Sequence, residues 1–227
     1  MGVTADRITS GASRSAGAST VGAWGVLGGT FDPVHYAHLA IAEETRDALG
    51  LAGVLFVPAS VPPHKLGRSI TAAEDRLAMV ELAIADNPGF HVSRVEMDRD
   101  GPSFTIDTIE QLLADPPRPW NPGAGLVLIM SVEALVGLET WHQPGRLLAA
   151  CRIAVVPRRG YPVAPREWAA AHFPGSEERL IVLDGPDLGH SASAIRERAA
   201  AGRSIRYLVP PGVEAYILAR GLYGNAT

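Results

Sequence analysis

Along the chain, short apolar runs alternate with longer stretches in which apolar positions recur at helical spacing. The runs Ala23–Leu27, Val54–Val57, His91–Arg94, Leu126–Met130, Cys151–Val156 and Arg179–Leu183 predict strands. The stretches 34–49, 72–86, 104–114, 132–138 and 164–172 predict helices. In the second of these, Leu77, Val80, Glu81 and Ile84 share one stripe, and Asn87-Pro88-Gly89 stops the pattern. Pro62-Pro63 and Pro116-Pro117-Arg118-Pro119 read as loops, and no internal repeat interrupts the order. From Ser191 onward the pattern is two helices separated by Val209-Pro210-Pro211-Gly212.

Strands alternating with helices predict the α/β class: a Rossmann-like, doubly wound, mainly parallel sheet with a helical C-terminal segment. In such sheets ligands bind beyond the carboxyl ends of the strands, where the strand order reverses. After the first predicted strand comes Gly28-Gly29-Thr30-Phe31-Asp32-Pro33-Val34-His35-Tyr36-Ala37-His38. A glycine turn there lets main-chain N–H groups approach phosphate oxygens, and the following helix adds a positive dipole end. His35 and His38, three apart on that helix, are placed to donate to one phosphate group. Polar and cationic residues follow the other strands too: Ser60 to Lys65, Ser131 to Glu133 with Trp141-His142 beyond, Arg158-Arg159, and Ser191 to Arg196.

Composition narrows the field. A chain of 227 residues, 47% hydrophobic, with a formal net charge of -4, lacks the basic surface that duplex nucleic acid requires. No apolar stretch reaches membrane-spanning length. The lone Cys151 permits no internal disulfide, which fits a reducing cytoplasm, and its place beside Ile153 to Val156 predicts buried packing. Residues 1–20, rich in Ser, Gly, Ala and Thr, lack the apolar centre of a signal peptide and read as a disordered N-terminal extension. Residues 21–224 then form a single domain.

The eleven-residue string from Gly28 to His38 resembles the GGTFDPxHxGH signature of the nicotinate mononucleotide adenylyltransferases, within the H-x-G-H nucleotidylyl transferases. The likeness runs from about Val21 to Tyr223. Val57-Pro58 to Pro62-Pro63-His64-Lys65 resembles the family's VPxxxPPHK loop, Pro102 to Thr108 its PSYTxDT element, and His190 to Arg196 its ISSTxIR segment. The resemblance implies adenylyl transfer from ATP to nicotinate mononucleotide, giving deamido-NAD and pyrophosphate, with Mg²⁺ carried in on ATP. It implies that His35, His38, Lys65 and Arg196 act on the phosphates and that Gly28, Gly29, Thr30, Phe31, Ser191 and Ser193 hold ATP. It likewise assigns Thr105, Glu133, Trp141, His142 and Arg158 to the pyridine nucleotide, Trp141 as the platform for its ring. No protein-held metal is implied.

Four segments depart from the family pattern. Ala37 stands where the family has glycine, Ser131-Val132-Glu133 replaces Gly-Ala-Asp, and Ala192 and Ser193 replace a serine and a threonine. Arg158-Arg159-Gly160 replaces Arg-Pro-Gly. These departures keep two alternatives open: a related transferase acting on nicotinamide mononucleotide, and a non-catalytic nucleotide-binding protein. The expected partners are small molecules, with neither nucleic acid nor membrane; a homo-oligomer stays open.

Overall fold

The computed structural model describes residues 19–60, 70–156, 163–185, 189 and 191–224. Residues 1–18 of the N-terminal extension therefore fall outside the described residues, as do Lys65, Arg158 and His190. In chain order the elements are β1 (Trp24–Gly29), α1 (Tyr36–Leu49), β2 (Gly53–Pro58), α2 (Ala73–Ile84) and β3 (Phe90–Val92). They continue with α3 (Thr105–Ala114), β4 (Leu126–Ser131), α4 (Val132–Val136), α5 (Pro144–Ala150) and β5 (Arg152–Val156). The last are α6 (Pro165–His172), β6 (Leu180–Val182), α7 (Ala192–Ala200) and α8 (Pro211–Ala219).

All six strands lie in one parallel sheet of order β3-β2-β1-β4-β5-β6. Side chains alternate across it, and both faces are apolar because helices cover both. Leu27, Val54, Phe56, Val127, Ile129 and Ala154 pack on one side with Met79, Ile195 and Val213. Trp24, Val26, Leu55, Leu128 and Ile153 pack on the other with Ile109, Leu135 and Leu147. Helix α1 ends at Gly50, whose left-handed backbone (φ 61°) lets its N–H reach the carbonyls of Arg46 and Asp47.

One reading of the pattern needs correction, and one helix escapes it. Glu81 does not share the buried stripe of α2; it is exposed, and the covered face carries Arg76, Leu77, Met79, Val80, Ala83 and Ile84. Helix α5 was not legible, since only Leu147 and Leu148 of its seven residues are buried and no periodic stripe results. Cys151 is buried as its neighbours predict, and desolvation pushes its thiol up to about 12. Among the described residues no helix is long and apolar enough to cross a membrane.

The chain reverses its direction of travel between β1 and β4, so the switch point lies between these strands. Their ladder stops at Val26–Leu128, whereas β1 stays paired with β2 to Gly29–Pro58 and β4 with β5 to Ser131–Val156. The last three residues of each central strand thus part from one another, and a crevice opens in the middle of the sheet.

Candidate nucleotide site

One wall of the crevice is the turn that follows β1. An added Cβ at Gly28 would meet nothing within 4 Å, whereas one at Gly29 would lie 3.0 Å from the Phe31 ring. Gly28 thus leaves open space, and Gly29 makes room for Phe31. Phe31 holds a left-handed backbone (φ 51°) that a non-glycine residue adopts only at a cost of about 1–3 kcal/mol. The turn is anchored from behind. Arg76, 1% exposed, donates from Nη1 to the Thr30 carbonyl at 2.7 Å, from Nη2 to the Ser60 carbonyl at 3.1 Å and from Nε to the Thr71 carbonyl at 2.9 Å.

Asp32, 5% exposed, is the second anchor. Its Oδ1 accepts from the Tyr223 hydroxyl at 2.7 Å and its Oδ2 from the Thr71 N–H at 3.4 Å. Burial, with the nearby Asp32 charge, pushes the Tyr223 hydroxyl well above the usual phenol range. The Asp32 carbonyl accepts from Arg196 Nη1 at 2.6 Å, and Arg196 Nη2 donates to Ser193 Oγ at 3.1 Å. The half-buried guanidinium keeps further N–H groups for an anion. Ser191 is the N-cap of α7, and Ala192 opens that helix.

The histidine pair forms differently from the sequence reading. His35 precedes α1 as its N-cap with extended backbone, so the two residues do not share a helical face. Their rings nonetheless stack, 3.8 Å between centroids and 26° between planes, and Phe31 meets His38 edge-on at 5.0 Å. The His35 main-chain N–H donates to His38 Nδ1 at 3.3 Å. An amide N–H cannot accept, so the proton of neutral His38 resides on Nε2, which makes that atom a donor. Burial, and next the His35 charge, hold His38 well below the ordinary histidine range, so it is neutral at pH 7. His35 is 5% exposed and His38 half-buried. Ala37 is buried in the first turn of α1, so little of its methyl is open to a ligand.

Across the crevice, Ser131 ends β4 and caps α4, its Oγ accepting the Ala134 N–H at 3.3 Å. Glu133 is exposed in the first turn of α4. Further along, the rings of Phe104 and His142 lie 4.3 Å apart, which brings the start of α3 against the Trp141-His142 segment. Thr105 is the first residue of α3, and half-buried Trp141 packs on the core beneath. Thr108 fastens that helix start, donating to the buried Glu96 at 2.8 Å and accepting from Arg99 at 2.8 Å. Among the described residues no group of three or more His, Cys, Asp or Glu side chains could hold a metal ion.

Two groupings thus emerge: Gly28–His38 with Ser193 and Arg196, and Thr105 with Trp141 and His142. Lys65 and Arg158 lie outside the described residues. Arg76 and Tyr223 were not singled out from sequence. Arg76 had a legible signal, since it falls in helical register with Met79, Val80 and Ala83, a cation on an apolar face. Tyr223, 191 residues from its partner Asp32, had none.

A glycine turn, a stacked imidazole pair and a guanidinium thus meet at the switch point of a doubly wound sheet, where folds of this class bind their ligands. The sequence model of the cytidylyltransferase-like family matches residues 26–198. A protein of Roseiflexus sp. (strain RS-1) named "Probable nicotinate-nucleotide adenylyltransferase" is 49% identical over 199 residues, covering 88% of this chain and 96% of its own. A protein of the same name from Thermomicrobium roseum is 43% identical over 199 residues, covering 88% and 90%. The chain belongs to the nicotinate-nucleotide adenylyltransferases of the cytidylyltransferase-like family. Its fold matches the nicotinic acid mononucleotide adenylyltransferase of Plasmodium falciparum in complex with NaAD, with a TM-score of 0.71 at 16% identity, over 88% of this chain and 96% of that one. With the same enzyme in complex with APC the TM-score is 0.70 at 17% identity, with the same coverage.

Proposed function

We propose that residues 21–224 act as one catalytic domain that transfers the adenylyl group of ATP to nicotinate mononucleotide. An oxygen of the mononucleotide's 5′-phosphate attacks the α-phosphorus of ATP. The bond from that phosphorus to the oxygen bridging to the β-phosphate breaks, and pyrophosphate leaves with the electron pair. The attacking oxygen is already anionic, so no protein base is required. Catalysis rests on alignment and on donors aimed at charge that builds on the phosphate oxygens.

In this reading the N–H groups from Gly28 to Phe31 and the His38 Nε2–H donate to the phosphates, with stacked His35 beside it. A neutral imidazole donates without shedding a proton into the site. Arg196 and Lys65 neutralise charge, and Ser191 and Ser193 at the start of α7 complete the ATP side. Thr105, Trp141, His142, Glu133 and Arg158 receive the pyridine nucleotide, the start of α3 facing its carboxylate. Mg²⁺ enters as part of the MgATP substrate, and no step is assigned to a protein-held metal. The working compartment we propose is the cytoplasm.

The observation that carries this reading is the stacked histidine pair set in an anchored turn beside the parted strands β1 and β4. The test is pyrophosphate release from MgATP with nicotinate mononucleotide, nicotinamide mononucleotide or phosphopantetheine as acceptor. The nicotinate form is expected to turn over fastest. Preference for another acceptor would reassign the substrate, and ATP binding without pyrophosphate from any acceptor would overturn the enzyme.

A further inference from the structure

Among the described residues Arg76 is the one guanidinium in the set of largest fully buried side chains, and nothing in the reaction above uses it. Filling that space with a cation is costly, since a hydrocarbon of similar volume packs as well without desolvating a charge. Burial holds the guanidinium below its usual range, and the Asp32 carboxylate partly offsets this. What a hydrocarbon could not do is hold three carbonyls at once. They belong to Thr30, just past β1, to Ser60, just past β2, and to Thr71, just before α2.

The Thr30 contact fixes more than a carbonyl. A trans peptide is planar, with its C=O and N–H antiparallel. A Thr30 carbonyl turned toward Arg76 therefore sends the Phe31 N–H the opposite way, out of the buried cluster. The other end of the turn is fixed by the Tyr223 hydroxyl on Asp32, the residue whose carbonyl receives Arg196. One strut of two side chains thus sets both a main-chain donor and the position of a cation.

We propose that Arg76 and Tyr223 are positioning residues for adenylyl transfer: together they hold the Thr30–Asp32 turn so that the Phe31 amide and Arg196 are preset for the triphosphate. The proposal rests on the reading of that turn as the ATP phosphate site. Neither residue touches substrate; each acts through the turn.

The test compares wild type with Tyr223→Phe, which removes one hydroxyl and keeps the ring, and with Arg76→Met, which keeps the volume and removes every donor. Steady-state kinetics, thermal unfolding and titration with a non-hydrolysable ATP analogue are read together at 25 °C. Displacing a preset group by about 1 Å costs about 10²-fold in rate. We therefore expect kcat to fall about 10²-fold in Arg76→Met and about tenfold in Tyr223→Phe, with analogue affinity weakened and the KM for nicotinate mononucleotide within about twofold of wild type. A merely structural role would lower the unfolding temperature and leave that split unmoved. Should Arg76→Met fail to fold, Tyr223→Phe decides. Folded Tyr223→Phe protein with wild-type kcat and wild-type analogue affinity overturns the proposal. Wild-type protein without turnover would sink the functional reading instead, and the analogue titration would still decide the strut.

Discussion

Replacing His38 by alanine separates what this ring does for the fold from what it does for the reaction. The ring accepts the His35 N–H, stacks on His35 at 3.8 Å and meets Phe31 edge-on at 5.0 Å. Losing the cap acceptor costs about 1 kcal/mol. Losing the ring contacts adds about 0.5–1.5 kcal/mol. Against a total stability of about 5–15 kcal/mol the variant stays almost wholly folded at 25 °C. The reaction loses more. Removing one preset donor to an oxyanion lowers kcat about 10²–10³-fold, equivalent to about 2.7–4 kcal/mol. A second variant, His38→Gln, divides the two effects, because glutamine at the third helical position can still reach back to the N-cap amide. The assay is pyrophosphate release at 25 °C with saturating substrates, alongside urea unfolding of the same preparations. Glutamine is expected to recover most of the stability and little of the turnover. Folded His38→Ala protein with kcat within about fivefold of wild type would refute the argument that Nε2 donates to developing charge.

Three further outcomes are expected. Gly28→Ala meets open space and should leave the unfolding temperature unchanged while raising the KM for ATP, whereas Gly29→Ala drives a methyl to 3.0 Å from the Phe31 ring and should lower both stability and turnover; calorimetry with kinetics reads the contrast. His38 resists protonation in the fold more than in the unfolded chain, so its share of stability is complete above about pH 6.5 and is lost as the pH falls toward the folded value. Urea midpoints should accordingly drop more steeply between pH 7 and pH 5.5 in wild type than in His38→Gln. Cys151, buried and with its thiol raised to about 12, should resist iodoacetamide at pH 8 in the native protein and react readily in urea, as mass spectrometry would record.

The sheet was largely legible because each strand is an apolar run covered on two faces, and each long helix leaves a periodic trace. Ends shifted where the pattern is blunt: the third strand is Phe90–Val92 rather than His91–Arg94, and the sixth Leu180–Val182 rather than Arg179–Leu183. The glycine turn and both histidines were readable from spacing, but not the means of their pairing. Helical periodicity assumes that His35 is already helical, whereas His35 is extended and α1 begins only at Tyr36. Ser131 read as an intrusion where a bare backbone is usual; its hydroxyl is used locally, to cap α4. The Tyr223–Asp32 bond joins opposite ends of the chain and leaves no local mark.

The early end of the β1–β4 ladder has a consequence for how the empty and loaded protein differ. Six strands run side by side, yet at one margin the sheet is two half-sheets, with main-chain groups along the seam that find no strand to pair with. A nucleotide lying in that seam would supply the missing hydrogen-bond partners and stitch the halves together. Amide exchange around Gly28 and Met130 should therefore slow sharply on loading, while exchange in the outer strands hardly changes.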